Sequence, residues 1–210
     1  MMASNLVFYT NPMSRGRIIR WMLEETGADY ETVVLDYAST MKEEPYLSIN
    51  PMGKVPAIVH EGHVITECAA ICAYLADAFP EAGLAPPTTE RADYYRWLFY
   101  AAGPVEQAVT NTSMGFTPTE QQQRMAGYGN YDLAVDTLEK AVSAHPYIAG
   151  DSFTAADVYV GSQVGWGTQF GTLPKRDAFT DYLGRIMSRD AYARANDKDN
   201  ALMPAPEPAA

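Results

Sequence analysis

Residues 5–35 read NLVFYTNPMSRGRIIRWMLEETGADYETVVL, a strand pattern, a helix pattern and a second strand pattern in succession. Residues 5–9 form a short β-rich run. Over residues 14–26 the period becomes helical, with Ile18, Ile19, Met22 and Leu23 on one face and Gly27 placed as a stop. Residues 30–35 return to a strand pattern. Two strands joined through a helix suit parallel pairing by a right-handed crossover. Working outward, residues 39–48 read as a short second helix. Residues 56–60 and 63–65 read as a hairpin about Glu61-Gly62. Residues 66–79 close this half as a helix, with Cys68, Ile71, Cys72, Leu75, Ala76 and Phe79 recurring at core-stripe spacing. The order is βαβ, a helix, then ββα.

Beyond it the pattern is helical throughout. Residues 89–115 and 118–144 read as two long helices. A third starts after Thr154, where Asp157 completes a capping box and Phe153 can staple onto Val158; this is structural and carries no chemistry. Residues 80–88, PEAGLAPPT, separate the halves, since Pro and Gly break both kinds of element. The expected organisation is therefore 1–80, a linker 81–88, an all-helical domain 89–190, and an extended or mobile tail 191–210 ending in MPAPEPAA.

Composition bounds the partners. Of 210 residues, 47% are apolar and 20% charged, which supports a packed core. Twenty-six acidic against 15 basic residues give a net charge of −11, which repels nucleic-acid phosphates and anionic membrane surfaces. No apolar run is long enough to span a bilayer. The start, MMASNLVFYT, carries no basic residue ahead of its apolar run and does not read as a secretion signal. Two cysteines make no disulfide framework. A soluble, cytoplasmic protein is expected. Ahead of the first acidic residue, Glu24, stand Arg15, Arg17 and Arg20. They read either as a solvated helix face or as a local site for an anionic small molecule.

Three segments could carry chemistry. In the first, Tyr9-Thr10-Asn11-Pro12-Met13-Ser14-Arg15-Gly16-Arg17 links the first strand to the first helix. Ser14 there either caps the helix or uses the same position to donate to a thiolate, which a helix start favours. In the second, Asn50-Pro51-Met52-Gly53-Lys54-Val55-Pro56, a cis Val55-Pro56 bond would turn the Val55 backbone outward to pair with an extended peptide; the alternative is an ordinary loop with a trans proline. In the third, Thr66-Glu67-Cys68, the helix start could take a carboxylate and Glu67 an ammonium, or Glu67 only complements the dipole.

Together these segments resemble the cytosolic glutathione transferase family, through residues 49–57 followed by Glu67-Cys68-Ala69-Ala70-Ile71. The resemblance implies a thioredoxin-like N-terminal domain, an all-helical C-terminal domain with the Thr154–Asp157 box in the sixth helix counted from the start of the chain, and glutathione as co-substrate. It implies a bacterial-type, serine-type member in which Ser14 activates the thiol, Tyr9 is the rival hydroxyl and Arg15 supports the thiolate. Val55 would pair with the cysteinyl backbone, Lys54 and Lys42 would approach the glycyl carboxylate, and Glu67 and Cys68 would hold the γ-glutamyl end. Cys68 departs from the family pattern, which usually has Ser there. A homodimer is implied, with detoxification of a small, mostly apolar electrophile as the activity. Met13, Tyr100, Met114, Phe116 and Trp166 are candidate acceptor-pocket walls, or plain core. Competing readings are a glutathione-dependent peroxidase, dehalogenase or isomerase on the same scaffold, and a non-catalytic glutathione-binding or assembly module. Cys68 and Cys72 read as core and His60 and His63 as flanking a turn, so no metal site is expected. Serine at position 14 argues against glutaredoxin-like disulfide exchange there.

Overall fold

The computed structural model describes residues 5–203. They form two compact units: the residues up to Ala82 together with those from Arg189 onward, and Gly83–Ser188.

The first unit is built on a four-stranded sheet in the order β2-β1-β3-β4, with β1 (Leu6–Thr10), β2 (Glu31–Val34), β3 (Ala57–His60) and β4 (His63–Thr66). β1 pairs parallel with β2, Val7 opposite Glu31, and antiparallel with β3, Leu6 opposite His60. Helix α1 (Gly16–Thr26) makes the crossover. Its Ile18, Ile19, Met22 and Leu23 are buried, and Gly27 ends it at φ 67°. The β1 side chains alternate as the pleat requires. Leu6 and Phe8 are buried, with the Arg20 guanidinium of α1 lying 4.9 Å from the Phe8 ring centroid. Tyr9 points to the opposite face. The expected helix at 39–48 is corrected: a 3-10 turn at Thr40–Lys42 and α2 (Tyr46–Ile49) replace it. Pro45, which lacks an N–H and restricts the residue before it, separates them. Helix α3 (Cys68–Ala78) closes the sequence-continuous part, with Cys68, Ile71, Cys72, Leu75 and Ala76 buried.

The second unit is helical, and each of its two expected long helices is divided. Residues 89–115 become α4 (Ala92–Tyr100), a five-residue π turn (Ala101–Val105) and α5 (Glu106–Ser113). Pro104 cannot close an α-helical bond, and the wider turn accommodates it. Residues 118–144 become α6 (Glu120–Met125) and α7 (Tyr131–Ala144). Between them Gly129 sits at φ 67° and Asn130 caps α7, its side chain accepting the Leu133 N–H at 2.9 Å. Thr154 therefore opens the eighth α-helix, α8 (Ala155–Phe170), not the sixth. The fully buried Asp157 accepts the Thr154 N–H at 2.9 Å, the Ile148 N–H at 2.8 Å and the Tyr182 hydroxyl at 2.9 Å. Helix α9 (Asp177–Ile186) completes the unit.

The tail is a second correction. Asp190–Asn200 is a helix, α10, and it packs on α1 within the first unit. Its buried positions are Ala191, Ala195 and Asp199, two small residues and an acid, so no large apolar stripe advertises it. Trp21 meets Tyr192 edge-on at 4.8 Å, and Arg20 pairs with Asp199 at 3.1 Å. Residues 204–210 lie outside the described residues.

Candidate active site

The turn between β1 and α1 is organised by Asn11, which is buried. Its Nδ2 donates to the Leu35 carbonyl at 2.8 Å and its Oδ1 accepts the Met13 N–H at 2.9 Å. Its carbonyl accepts both the Ser14 N–H at 3.0 Å and the Ser14 hydroxyl at 2.7 Å. Ser14 Oγ in turn accepts the Gly16 N–H at 2.9 Å. Gly16 is required for this approach, since a Cβ there would lie 1.9 Å from Thr10 Oγ1. The Tyr37 hydroxyl braces the same turn by donating to the Met13 carbonyl at 3.2 Å. Ser14 is half-buried at the head of an eleven-residue helix with no acid in its first turn.

The three N-terminal arginines fit neither reading of their charge as a group. Arg20 is buried; besides Asp199 it donates to Thr32 Oγ1 at 2.7 Å and the Tyr30 hydroxyl at 3.1 Å. Arg17 donates to the Pro12 carbonyl at 2.6 Å and Asn200 at 2.9 Å. Both face α10, which the sequence reading lacked. Arg15 alone is exposed beside Ser14.

Tyr9 lies on the other face of β1, its ring tilted against Tyr46 at 5.5 Å. Tyr46 is buried and its hydroxyl donates to the Lys54 carbonyl at 2.5 Å. Burial, partly offset by Asn50 and reinforced by Tyr9, pushes this phenol up to about 12, so it keeps its proton. Asn50 donates to the same carbonyl at 2.8 Å and its Oδ1 accepts the Met52 N–H at 3.1 Å. Lys42 Nζ donates to the Gly53 carbonyl at 2.5 Å. Gly53 has φ 56°, and a Cβ there would lie 2.8 Å from the Met41 carbonyl. The Val55-Pro56 bond is cis. Among the described residues nothing pairs with the Val55 backbone.

Glu67 is exposed at φ 66°, where few side chains other than glycine rest, and α3 starts at the next residue. The Cys68 Sγ lies 3.9 Å from the Arg15 carbonyl, so the heads of α1 and α3 adjoin. Cys72 is fully buried and burial pushes its thiol up, as core placement implies. His60 is buried with Nδ1 3.0 Å from the Tyr74 hydroxyl, and His63 is exposed. Of the acceptor candidates, Met13 is exposed in the first unit. The other four belong to the second unit. Met114 and Phe116 are exposed and Trp166 is half-buried. Tyr100 donates to the Ala134 carbonyl at 2.9 Å, and its hydroxyl is thereby engaged in packing on α7.

Sequence reasoning assigned no role to Asn11, Tyr46 or Asn50. The first and last could have been found, because both loops contain Asn-Pro-Met (residues 11–13 and 50–52), and an Asn before a turn bonds the backbone two residues on.

Residues 4–77 match the family described as glutathione S-transferase, N-terminal domain. A glutathione S-transferase of Xanthomonas campestris pv. campestris is 31% identical over 183 residues, covering 81% of this chain and 89% of that one. The chain belongs to the glutathione S-transferase family. Glutathione S-transferase GstA of Escherichia coli O157:H7 is 30% identical over 154 residues, 69% of this transferase and 73% of the relative. Among solved structures, a glutathione transferase from Methylococcus capsulatus superposes with a TM-score of 0.77 at 28% identity, over 93% of this chain and 99% of that one. A sphingomonad glutathione S-transferase complexed with glutathione gives 0.75 at 28% identity, over 92% and 98%. The thioredoxin-like sheet of the transferase and its helical second unit are those of the family.

Proposed function

We propose that this glutathione transferase activates glutathione at Ser14 and passes the thiolate to small, mostly apolar electrophiles. The observation that carries the reading is the position of the two candidate hydroxyls. Ser14 stands at the head of α1 with its oxygen fixed by the Gly16 N–H at 2.9 Å, whereas Tyr9 is on the opposite face against Tyr46. A helix start stabilises an anion through its unpaired N–H groups and partial positive charge, and Arg15 adds a full charge beside it. The open Val55 backbone suits the cysteinyl unit of glutathione. Lys54 suits the glycyl carboxylate, with Lys42 holding its loop and adding charge. Glu67 and the Cys68 N–H suit the γ-glutamyl ammonium and carboxylate. Met13, exposed in the unit that carries Ser14, suits contact with the acceptor. We read the protein as a cytoplasmic homodimer acting in detoxification.

The chemistry asked of Ser14 is modest. A thiol of pKa about 8.5 is a few per cent ionised at neutral pH, and lowering it by about two units takes about 2.7 kcal/mol. The thiolate gains roughly 25-fold in population and loses roughly 6- to 10-fold in intrinsic nucleophilicity. Positioning of the acceptor supplies the remainder. Ser14→Ala should therefore raise the pKa of bound glutathione, followed by ultraviolet difference absorbance, and cut turnover at neutral pH several-fold. Glutathione affinity should change less, because the bond is made to the thiolate. An unmoved titration would transfer the role to Tyr9.

A further inference from the structure

The two loops of the site are built on one tripeptide. In Asn11-Pro12-Met13 and Asn50-Pro51-Met52 the asparagines are buried, 5% and 6% exposed. Each accepts the methionine N–H two residues on, at 2.9 and 3.1 Å, and each ties its loop to a carbonyl elsewhere, Leu35 or Lys54, at 2.8 Å. They differ in what the asparagine carbonyl receives. That of Asn50 takes the Gly53 N–H at 2.8 Å, an ordinary turn bond. That of Asn11 takes the Ser14 N–H and also the Ser14 hydroxyl, at 2.7 Å.

We propose that Asn11 is a positioning residue that gates the Ser14 hydroxyl, holding its hydrogen on the Asn11 carbonyl until an anionic sulfur is present. This rests on the reading of Ser14 as the activating residue. The hydroxyl has one hydrogen to give and two lone pairs to fill. The Gly16 N–H occupies one lone pair and polarises the O–H, and Asn11 takes the hydrogen. A hydrogen bond to an anion is about twice as strong as one to a neutral carbonyl. The hydrogen therefore turns to a thiolate and stays on Asn11 beside a neutral thiol. The Asn11 carbonyl is not orphaned by the switch, because it keeps the Ser14 N–H. Giving up the carbonyl offsets part of the gain, and the difference between an anionic and a neutral acceptor is what lowers the pKa; the benefit of Asn11 is to hold the hydroxyl oxygen where its hydrogen can turn to the sulfur. It does so only while the carbonyl is fixed, and the Asn11 amide, clamped between Met13 and Leu35, fixes it.

The test is a double-mutant cycle on the pKa of bound glutathione, read by ultraviolet difference absorbance in the full-length protein. Asn11→Ala should raise that pKa by about half a unit or more, about a threefold lower ratio of thiolate to thiol. The same change should have no effect in a Ser14→Ala background. Equal shifts in both backgrounds, or none in either, would overturn the proposal, since a merely structural residue would not act through Ser14. Should Asn11→Ala not fold, Asn11→Ser is read the same way, because a serine hydroxyl can still take the Met13 N–H. If Ser14→Ala alone leaves the titration in place, the assignment of Ser14 fails first, and the two failures are told apart.

Discussion

Glu67 holds a backbone conformation at φ 66° that costs a side-chain-bearing residue about 1–3 kcal/mol. Glycine would relax that cost and remove the carboxylate proposed to meet the γ-glutamyl ammonium. Glu67→Gly should thus keep or raise the melting temperature while weakening glutathione affinity; isothermal titration beside a thermal melt separates the effects, and unchanged affinity would remove Glu67 from the site. The element boundaries at which Ser14, Val55 and Glu67 stand were legible in the sequence, because strand and helix ends carry their own residue signals. The face of β1 on which Tyr9 emerges was not, since composition does not set that phase. Asn11 and Asn50 carry a local signal in Asn-Pro-Met, but their bonds to Leu35 and Lys54 are reached only once the chain has turned.

At the scale of elements, α1 and α10 are held by charge as much as by apolar packing. Glu24, buried on α1, accepts from Lys198 at 2.5 Å, the Tyr30 hydroxyl at 2.6 Å and Arg194 at 3.3 Å. Burial alone would raise its carboxyl, but these bonds more than offset that and hold it below its ordinary value of 4.5. A depressed folded value stabilises fully above the unfolded value and is lost as the pH falls through the folded one. Asp199 has the opposite sign: burial outweighs Arg20 and raises its carboxyl, so its ionised form counts against folding once the pH exceeds that raised value. As the pH falls from about 5 through the depressed value, Glu24→Gln should therefore lose less stability than the parent in denaturant titrations. A parallel decline of the two would show that Glu24 does not govern acid sensitivity. Asp199→Ala leaves Arg20 buried without its counter-charge and should cost about 3–5 kcal/mol in the same measurement; a cost under about 1 kcal/mol would mean that water replaces the carboxylate. Helices α1 and α3 could be read from their apolar stripes. Helix α10 could not, because alanines and an acid make its buried side. The breaks at Pro104 and Gly129 carried local signals that the surrounding helical period obscured.

For the whole molecule, the unit that carries Ser14, Val55 and Glu67 is assembled from both ends of the described chain. A chain ending at Arg189 keeps every proposed glutathione contact and loses α10. It should melt lower and no longer be retained on immobilised glutathione; full retention would show that α10 is dispensable to the site. The same discontinuity sets an order of events on the ribosome. Residues 83–188 must be made between the two parts of the first unit, roughly 5–20 s at bacterial-to-eukaryotic elongation rates of about 5–20 residues per second. Throughout that interval Arg20 has no Asp199 to meet, and the face of α1 that later receives Tyr192 is bare. The thioredoxin-like portion has all of its strands by then, yet it stays without the helix that covers α1 until the final turns emerge.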